Sequence, residues 1–517
     1  MKQEIPTRPL WFFTRTNPPV FVSAAAIMFL FILYGTLFTK TAQDVFAAVQ
    51  TFITGNFSWV FTITTCLLLL FALFLLFSPY GKIRLGKDSD RPEFSFATWF
   101  AMLFSAGMGI GLIYWSVAEP ISHYKNPPIS VPETERAAEQ AMQLTFFHWG
   151  LHAWAIYCIV GMALAYFAFR KGLPLTIRSA FYPLLGDRIY GPFGHVIDIF
   201  SVVSTMFGVA TSLGLGAMQV NSGLHFIAGV PQSVWVQVTL IAFITLIATV
   251  SVMLGLHKGI SRLSHFNLWV AGLFLLFVFL TGPTLYILTT FGTTLANYAQ
   301  NLFVLSVASE TMYDVKWRSS WTTFYWAWWI AWSPFVGMFI ARVSRGRTIR
   351  EFILGCLLAP CLATFAWLSV FGGTAIHLDL VEGGAIAEAV DKNVSTALFF
   401  MLESLPLDAI TATIATVVII TFFVTSSDSG SFVIDMITAG GDPDPPKLQR
   451  LFWAVTEGVI ATVLLIAGGL NALQTAAITT GLPFAIVLIG LIYGLRIALL
   501  NERRAQKREQ AIREQEA

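Results

Sequence analysis

Charge is what this sequence has least of. Asp, Glu, Lys and Arg make up 12% of its 517 residues, about half the roughly 25% usual in soluble domains. With 56% hydrophobic residues and a mean hydropathy of +0.71, that scarcity excludes an ordinary soluble fold. Cysteine is scarce too. Cys66, Cys158, Cys356 and Cys361 all lie in apolar stretches without metal-ligand spacing, which excludes a disulfide scaffold and leaves them a packing role. A catalytic set is missing as well. His148 and His152 stand four apart, but no carboxylate or cysteine joins them at ligand spacing, so hydrogen-bonded helix histidines are expected and an enzyme is not. No small-residue cleavage pattern follows the first apolar run, so no cleavable signal peptide is expected. The net charge of +2 singles out no partner, and no nucleic-acid partner is expected.

What is there in abundance is apolar sequence of membrane-crossing length. About twelve spans are expected, near 20–38, 57–78, 95–118, 141–168, 195–226, 233–256, 266–292, 321–341, 352–376, 408–438, 451–470 and 474–499. Residues 1–19 form an N-terminal segment, 293–320 an amphipathic helix along the outer surface, and 500–517 a short charged tail. Placing the N-terminus in the cytoplasm puts 25 of the 31 Lys and Arg on the inner side, so both termini are expected there.

Tryptophan is concentrated in one span. Between 321 and 342 stand Trp321, Trp326, Trp328, Trp329 and Trp332, reaching mid-membrane where Trp ordinarily keeps to the interfaces. At about 100° per residue, Tyr325, Trp328, Trp329 and Trp332 share one face. Such a wall of rings suits a quaternary ammonium held by cation–π attraction; helix–helix packing is the alternative. Span four supplies a second aromatic face, with Trp149, Trp154 and Tyr157 on one side of a continuous helix.

Two other spans are unusual. Span three carries Ser105-Ala-Gly-Met-Gly-Ile-Gly111, either a close helix contact or a locally unwound stretch whose carbonyls line a cavity. Span ten carries Thr425-Ser-Ser-Asp-Ser429. Its hydroxyls suit a small hard cation or bond within and between helices, and Asp428 is expected to pair with nearby backbone or hydroxyls. Spans three to seven (95–292) and eight to twelve (321–499) are two sets of five, after a peripheral pair at 20–78. Five is odd, so the sets enter the membrane in opposite directions, the condition for an inverted repeat.

These blocks resemble the betaine/choline/carnitine transporter family. The match lies in Gly-Met-Gly-Ile-Gly at 107–111, Phe-His-Trp-Gly-Leu-His-Ala-Trp-Ala-Ile-Tyr at 147–157, Phe-Tyr-Trp-Ala-Trp-Trp-Ile-Ala-Trp-Ser-Pro-Phe-Val-Gly-Met-Phe at 324–339 and Thr-Phe-Phe-Val-Thr-Ser-Ser-Asp-Ser at 421–429. The resemblance implies an all-α polytopic protein with a LeuT-type fold of two inverted five-helix repeats, a homotrimer in the bacterial plasma (inner) membrane. It implies secondary transport of a trimethylammonium or dimethylsulfonium zwitterion such as glycine betaine, with sodium as co-substrate and no cofactor. Proton- or sodium-coupled choline uptake and ion-independent carnitine/betaine exchange are the alternatives. The family's aromatic box falls on Trp149, Trp154, Tyr157 and Trp329, with Met108 beside it. Phe324, Trp328 and Trp332 match the cytoplasmic pathway. The sodium site falls on Ser105, Met108, Phe422, Thr425 and Ser426. A second sodium site would use Thr205 and Phe335, where Val209 replaces a family threonine. Choline carriers in the family have Asp where this chain has Gly111, so Gly111→Asp is expected to favour choline. Glu119 is expected near the outer end, about two turns from any ligand beside Met108. The long tail of osmosensing members has no counterpart after span twelve, so tail-driven activation is not expected.

Overall fold

The computed structural model describes residues 4–107, 109–253 and 257–516, with side chains described except at 104–107, 251–253, 257–262, 264, 308, 309, 382 and 516. It is almost wholly helical. A two-stranded antiparallel hairpin, Arg8–Leu10 with Phe13–Thr16, precedes the first span. The principal helices are α1 (Pro18–Leu37), α2 (Thr39–Phe77), α3 (Phe96–Gly107), α4 (Ile110–Lys125), α5 (Glu135–Trp149), α6 (Leu151–Ala165), α7 (Pro192–Ala228) and α8 (Val234–Met253). They continue with α9 (His257–Thr281), α10 (Thr284–Thr311), α11 (Phe324–Val343), α12 (Ile349–Glu382), α13 (Asp408–Thr438) and α14 (Lys447–Glu516). Among the described residues, seven helical stretches are long and apolar enough to cross a membrane unaided.

Two of the boundaries that move do so for a backbone reason. The seventh span, expected over 266–292, ends at Thr281. Gly282 and Pro283 break it, and α10 leaves at 109° to the end of α9. Proline offers no N–H and clashes with the preceding turn, while the Thr284 hydroxyl donates to the Phe279 carbonyl (2.8 Å) and caps the freed end. The surface helix therefore begins at 284 rather than 293. Spans eleven and twelve form the run α14, divided by non-helical backbone at Gly468 and Gly469. Gly469 has φ of 58°, a left-handed conformation that glycine adopts without a Cβ penalty.

Packing between the two sets of five is reciprocal. The second helix of the first set (α6) packs on the first of the second set (α11), and α12 packs on α3 and α4. The third members, α7 and α13, pack on one another. That exchange of partners is what two units related by an in-plane pseudo-twofold produce. Span eleven is less plain than its hydropathy suggests. Glu457 is fully buried in it and accepts from the Ser427 hydroxyl (3.2 Å). Asp428 pairs with the Arg450 guanidinium at the start of α14, a charged partner that was not expected.

Candidate functional site

The site starts from a glycine. Span four is not one helix: Gly150, at φ −94° and ψ −141°, divides it into α5 and α6. A Cβ at Gly150 would lie 2.5 Å from the Phe146 carbonyl oxygen and 2.6 Å from the Tyr298 hydroxyl, so no side chain fits. The break frees the Leu151 amide, which donates to the Tyr298 hydroxyl of α10 (2.9 Å). The continuous helical wheel read from sequence is therefore wrong in detail. Trp149 ends α5, whereas Trp154 and Tyr157 belong to α6.

The rings nevertheless converge. Trp149, Trp154, Tyr157 and Trp329 line one cleft, with Trp332, Ala153 and Thr364 completing its wall. Trp149 meets Trp329 edge to face at 4.8 Å between centroids, Trp154 meets Tyr157 at 5.5 Å, and Tyr157 meets Trp329 at 6.3 Å. All four are buried. The void between them is about 20 Å³, room for roughly one water molecule. A trimethylammonium group would have to spread these rings.

Behind the cleft the aromatic wall is stacked. Trp328 lies flat on Trp329 (4.8 Å, 15°) and on Phe324 (5.4 Å, 15°). The Trp332 and Trp328 indoles both donate to the Gly208 carbonyl of α7, at 2.8 and 3.4 Å. Of the three expected pathway residues, Trp332 reaches the cleft, Trp328 backs it, and Phe324 opens α11 beside Trp115. They occupy successive levels of one helix.

The expected cation-site residues are only partly placed. Met108 lies outside the described residues, as does the Ser105 side chain; Ser105 itself falls in the last turn of α3. Phe422, Thr425 and Ser426 occupy neighbouring turns of α13. The Thr425 hydroxyl donates to the Phe422 and Thr421 carbonyls (3.1 Å each) and lies 3.5 Å from the Asn267 amide of α9. For the second site, Thr205 donates to the Ser201 carbonyl (2.7 Å) and Phe335 packs on Trp332 (5.4 Å).

Sequence reasoning missed the centre of the polar network. Glu119 is completely buried, and one of its oxygens accepts from Trp149 Nε1 (2.7 Å) and the Tyr325 hydroxyl (2.5 Å). The other lies 2.7 Å from His148 Nδ1 and 3.3 Å from His123 Nε2. His148 Nε2 continues the chain to the Thr322 hydroxyl (3.0 Å). The expectation that no carboxylate joins His148 is overturned, because α5 folds back along α4. Glu119, His123 and His148 each offer a ligand atom within 4.8 Å of the others, close enough to hold a metal. His152 faces elsewhere, toward the Ser306 hydroxyl (3.0 Å). The available signal was a carboxylate in an apolar span with a histidine four residues on. Gly111 is also tighter than expected: a Cβ there would lie 2.3 Å from Trp328 Cη2.

Comparison with known proteins agrees with the geometry. The family model described as BCCT, betaine/carnitine/choline family transporter, matches residues 19–504. A probable glycine betaine transporter of Desulfitobacterium hafniense is 45% identical over 94% of this chain and 98% of its own. The glycine betaine transporter OpuD of Bacillus subtilis is 46% identical over 95% of this chain and 96% of its own. Glycine betaine transporter 1 of Vibrio parahaemolyticus is 47% identical, covering 95% of each. The chain is a multi-pass membrane transporter and belongs to the betaine/carnitine/choline transporter family.

Proposed function

We propose that this chain imports glycine betaine, or a close quaternary-ammonium or dimethylsulfonium zwitterion, by sodium symport with alternating access. The observation that carries the reading is the convergence of Trp149, Trp154, Tyr157 and Trp329 on one cleft from both sets of helices. Ring faces attract a soft cation without a counter-charge, and a zwitterion brings its own anion into a place where a bare cation is costly. Glu119 does not change this preference, because its oxygens are turned to Trp149, Tyr325 and the two histidines. Choline is therefore the weaker substrate. Sodium would be held by the Thr425 and Ser426 hydroxyls with carbonyls of Phe422, Ser105 and Met108; Thr205 and Phe335 would form a second, weaker site. The working unit is a homotrimer in the bacterial plasma membrane, with both termini cytoplasmic, as the charge asymmetry of the loops supports.

The test is uptake of labelled betaine into proteoliposomes under an imposed sodium gradient. Accumulation is expected with external sodium and not with potassium, and excess choline should compete poorly. Equal accumulation in potassium would remove sodium from the mechanism; a preference for choline would overturn the charge argument.

A further inference from the structure

We propose that the tip of the N-terminal hairpin, Trp11-Phe12, is a lipid anchor seated at the membrane–water interface, where it fixes the depth of the turn between α13 and α14. The family match begins at residue 19, so the hairpin lies outside it.

Turn chemistry argues against these residues in water. Leu10 pairs with Phe13, so Trp11 and Phe12 form a two-residue hairpin loop. Such loops favour Gly, Asn or Asp where φ is positive, yet Trp11 sits at φ 51°. Trp11 is 82% exposed and Phe12 79%, so neither ring serves the protein's own core. Membrane interfaces are where Trp is enriched, because its ring is amphipathic.

Geometry sets the depth. Phe13, the next residue, packs on Phe21 at 5.0 Å between ring centroids and on Phe452 at 5.9 Å. Phe21 lies in the first turn of α1, a helix of membrane-crossing length with 28% of its apolar stretch buried in the protein. Val22, Ile27, Phe29 and Leu30 are exposed along it, so lipid covers this flank. Strand Phe13–Thr16 therefore runs back beside the start of the span. The tip is one residue step, about 3.8 Å, from Phe13, and the polar interface is about 5–7 Å deep. Trp11 and Phe12 fall within it.

The base of the hairpin is held by the protein. The Asn17 amide donates to the Thr438 carbonyl (2.7 Å), and Arg15 pairs with Asp442 (2.9 Å). A Cβ on Gly440 would lie 3.1 Å from Thr7 and 3.2 Å from Ile5, so the chain before the hairpin lies against the same turn. Helix α13 ends at Thr438 and carries Thr425 and Ser426. An anchored tip thus keeps the end of that helix at a set height in the bilayer.

The experiment reads the surroundings of the tip. Trp11→Cys, Phe12→Cys and, as a control on the exposed tail, Ala511→Cys are made one at a time in the full-length protein. Each is labelled with an environment-sensitive nitrobenzoxadiazole, and the unsubstituted chain, whose cysteines are buried or half-buried, gives the background. The proteins are placed in phosphatidylcholine–phosphatidylglycerol nanodiscs, which leave both faces open, with or without a lipid carrying a nitroxide near its headgroup. Both tip labels should emit to the blue of the tail label, be quenched by the nitroxide lipid and be shielded from aqueous iodide. Quenching by iodide as complete as that of the tail label would place the tip in water and overturn the proposal. Shielding from both quenchers would place a second copy of the chain over the tip and overturn it equally. In the double variant Trp11→Ser with Phe12→Ser, amide hydrogen exchange across residues 436–442 should quicken in the same nanodiscs; unchanged exchange would refute the hold on the turn.

Discussion

Replacing Gly111 with alanine adds one methyl group at the most crowded edge of the aromatic wall. The added carbon would lie 2.3 Å from Trp328 Cη2, 3.0 Å from Cζ2 and 3.3 Å from Cζ3, whereas carbon atoms settle at about 3.5–4.0 Å. Trp328 has no room to retreat. Its ring is flat against Trp329 and Phe324, and its indole reaches the Gly208 carbonyl. Overpacking of this kind costs about 1–3 kcal/mol. Because the strain is delivered through Trp328 onto Trp329, much of it should appear as lost substrate affinity, a rise in betaine KM of about 5- to 150-fold. Gly109→Ala is the control, since its nearest neighbour would be Trp332 Cη2 at an ordinary 3.7 Å. The assay is initial-rate betaine uptake in proteoliposomes at saturating sodium, with surface-accessible protein quantified. A Gly111→Ala protein with wild-type KM and Vmax would refute the packing argument. The comparison also reinterprets Gly111→Asp. Its carboxylate enters only after Trp328 has moved, so any gain for choline should come with a betaine loss at least as large as that of the alanine variant.

Four further outcomes follow from the geometry. Trp329→Ala and Trp149→Leu should each weaken betaine uptake more than about tenfold, since a desolvated cation–π contact is worth about 2 kcal/mol; membrane levels should stay normal, and wild-type KM in both would favour simple packing. Thr425→Ala with Ser426→Ala should raise the sodium concentration for half-maximal uptake, read from sodium titrations at fixed betaine. Arg178→Met should lower the thermal midpoint in detergent, because it strands Asp198, which is completely buried and bonded to Arg178 Nε at 2.6 Å; breaking one side of such a pair costs about 3–5 kcal/mol, and the double variant with Asp198→Leu should recover much of it. Glu502→Gln should speed tryptic cleavage at Arg503 and Arg504 by releasing the tail from Arg170 (2.6 Å) and Lys171. Asp88 joins the same Arg170 at 2.8 Å, and that hydrogen bond holds its carboxyl below the usual range although partial burial pushes the other way. The Asp88–Arg170 link is complete above the ordinary carboxylate range and disappears as pH falls through the lowered value, so the loop bearing Asp88 should detach from Arg170 only in acid.

How much was legible in the sequence depended on whether a feature was local. The tenth span was expected over 408–438 and is the helix Asp408–Thr438, because a hydropathy run bounded by polar residues carries its own limits. Trp149, Trp154, Tyr157 and Trp329 were singled out from ring types and a motif, and they line one cleft. Misjudged features were those set by backbone or by another helix. Gly282-Pro283 turned the chain inside an apolar run; the dipeptide is a turn signal that a reading by hydropathy alone does not weigh. Gly150 divided span four although every flanking residue suits a helix. Glu119 was judged by its rise along α4, which says nothing about α5 lying beside it. Glu457 was overlooked in the same way, since its partner Ser427 lies on another helix.

The division of span four has a consequence for how any binding constant is read. One wall of the box rides on the rod that ends at Trp149, and the opposite wall on the rod that begins at Leu151. If the cleft is the binding box proposed above, its width depends on the angle between these two rods at Gly150. An apparent dissociation constant is the intrinsic one divided by the fraction of molecules with the rods suitably angled. A substitution at Tyr298, which accepts from the Leu151 amide at the break without lining the cleft, can then shift every ligand's constant by one common factor.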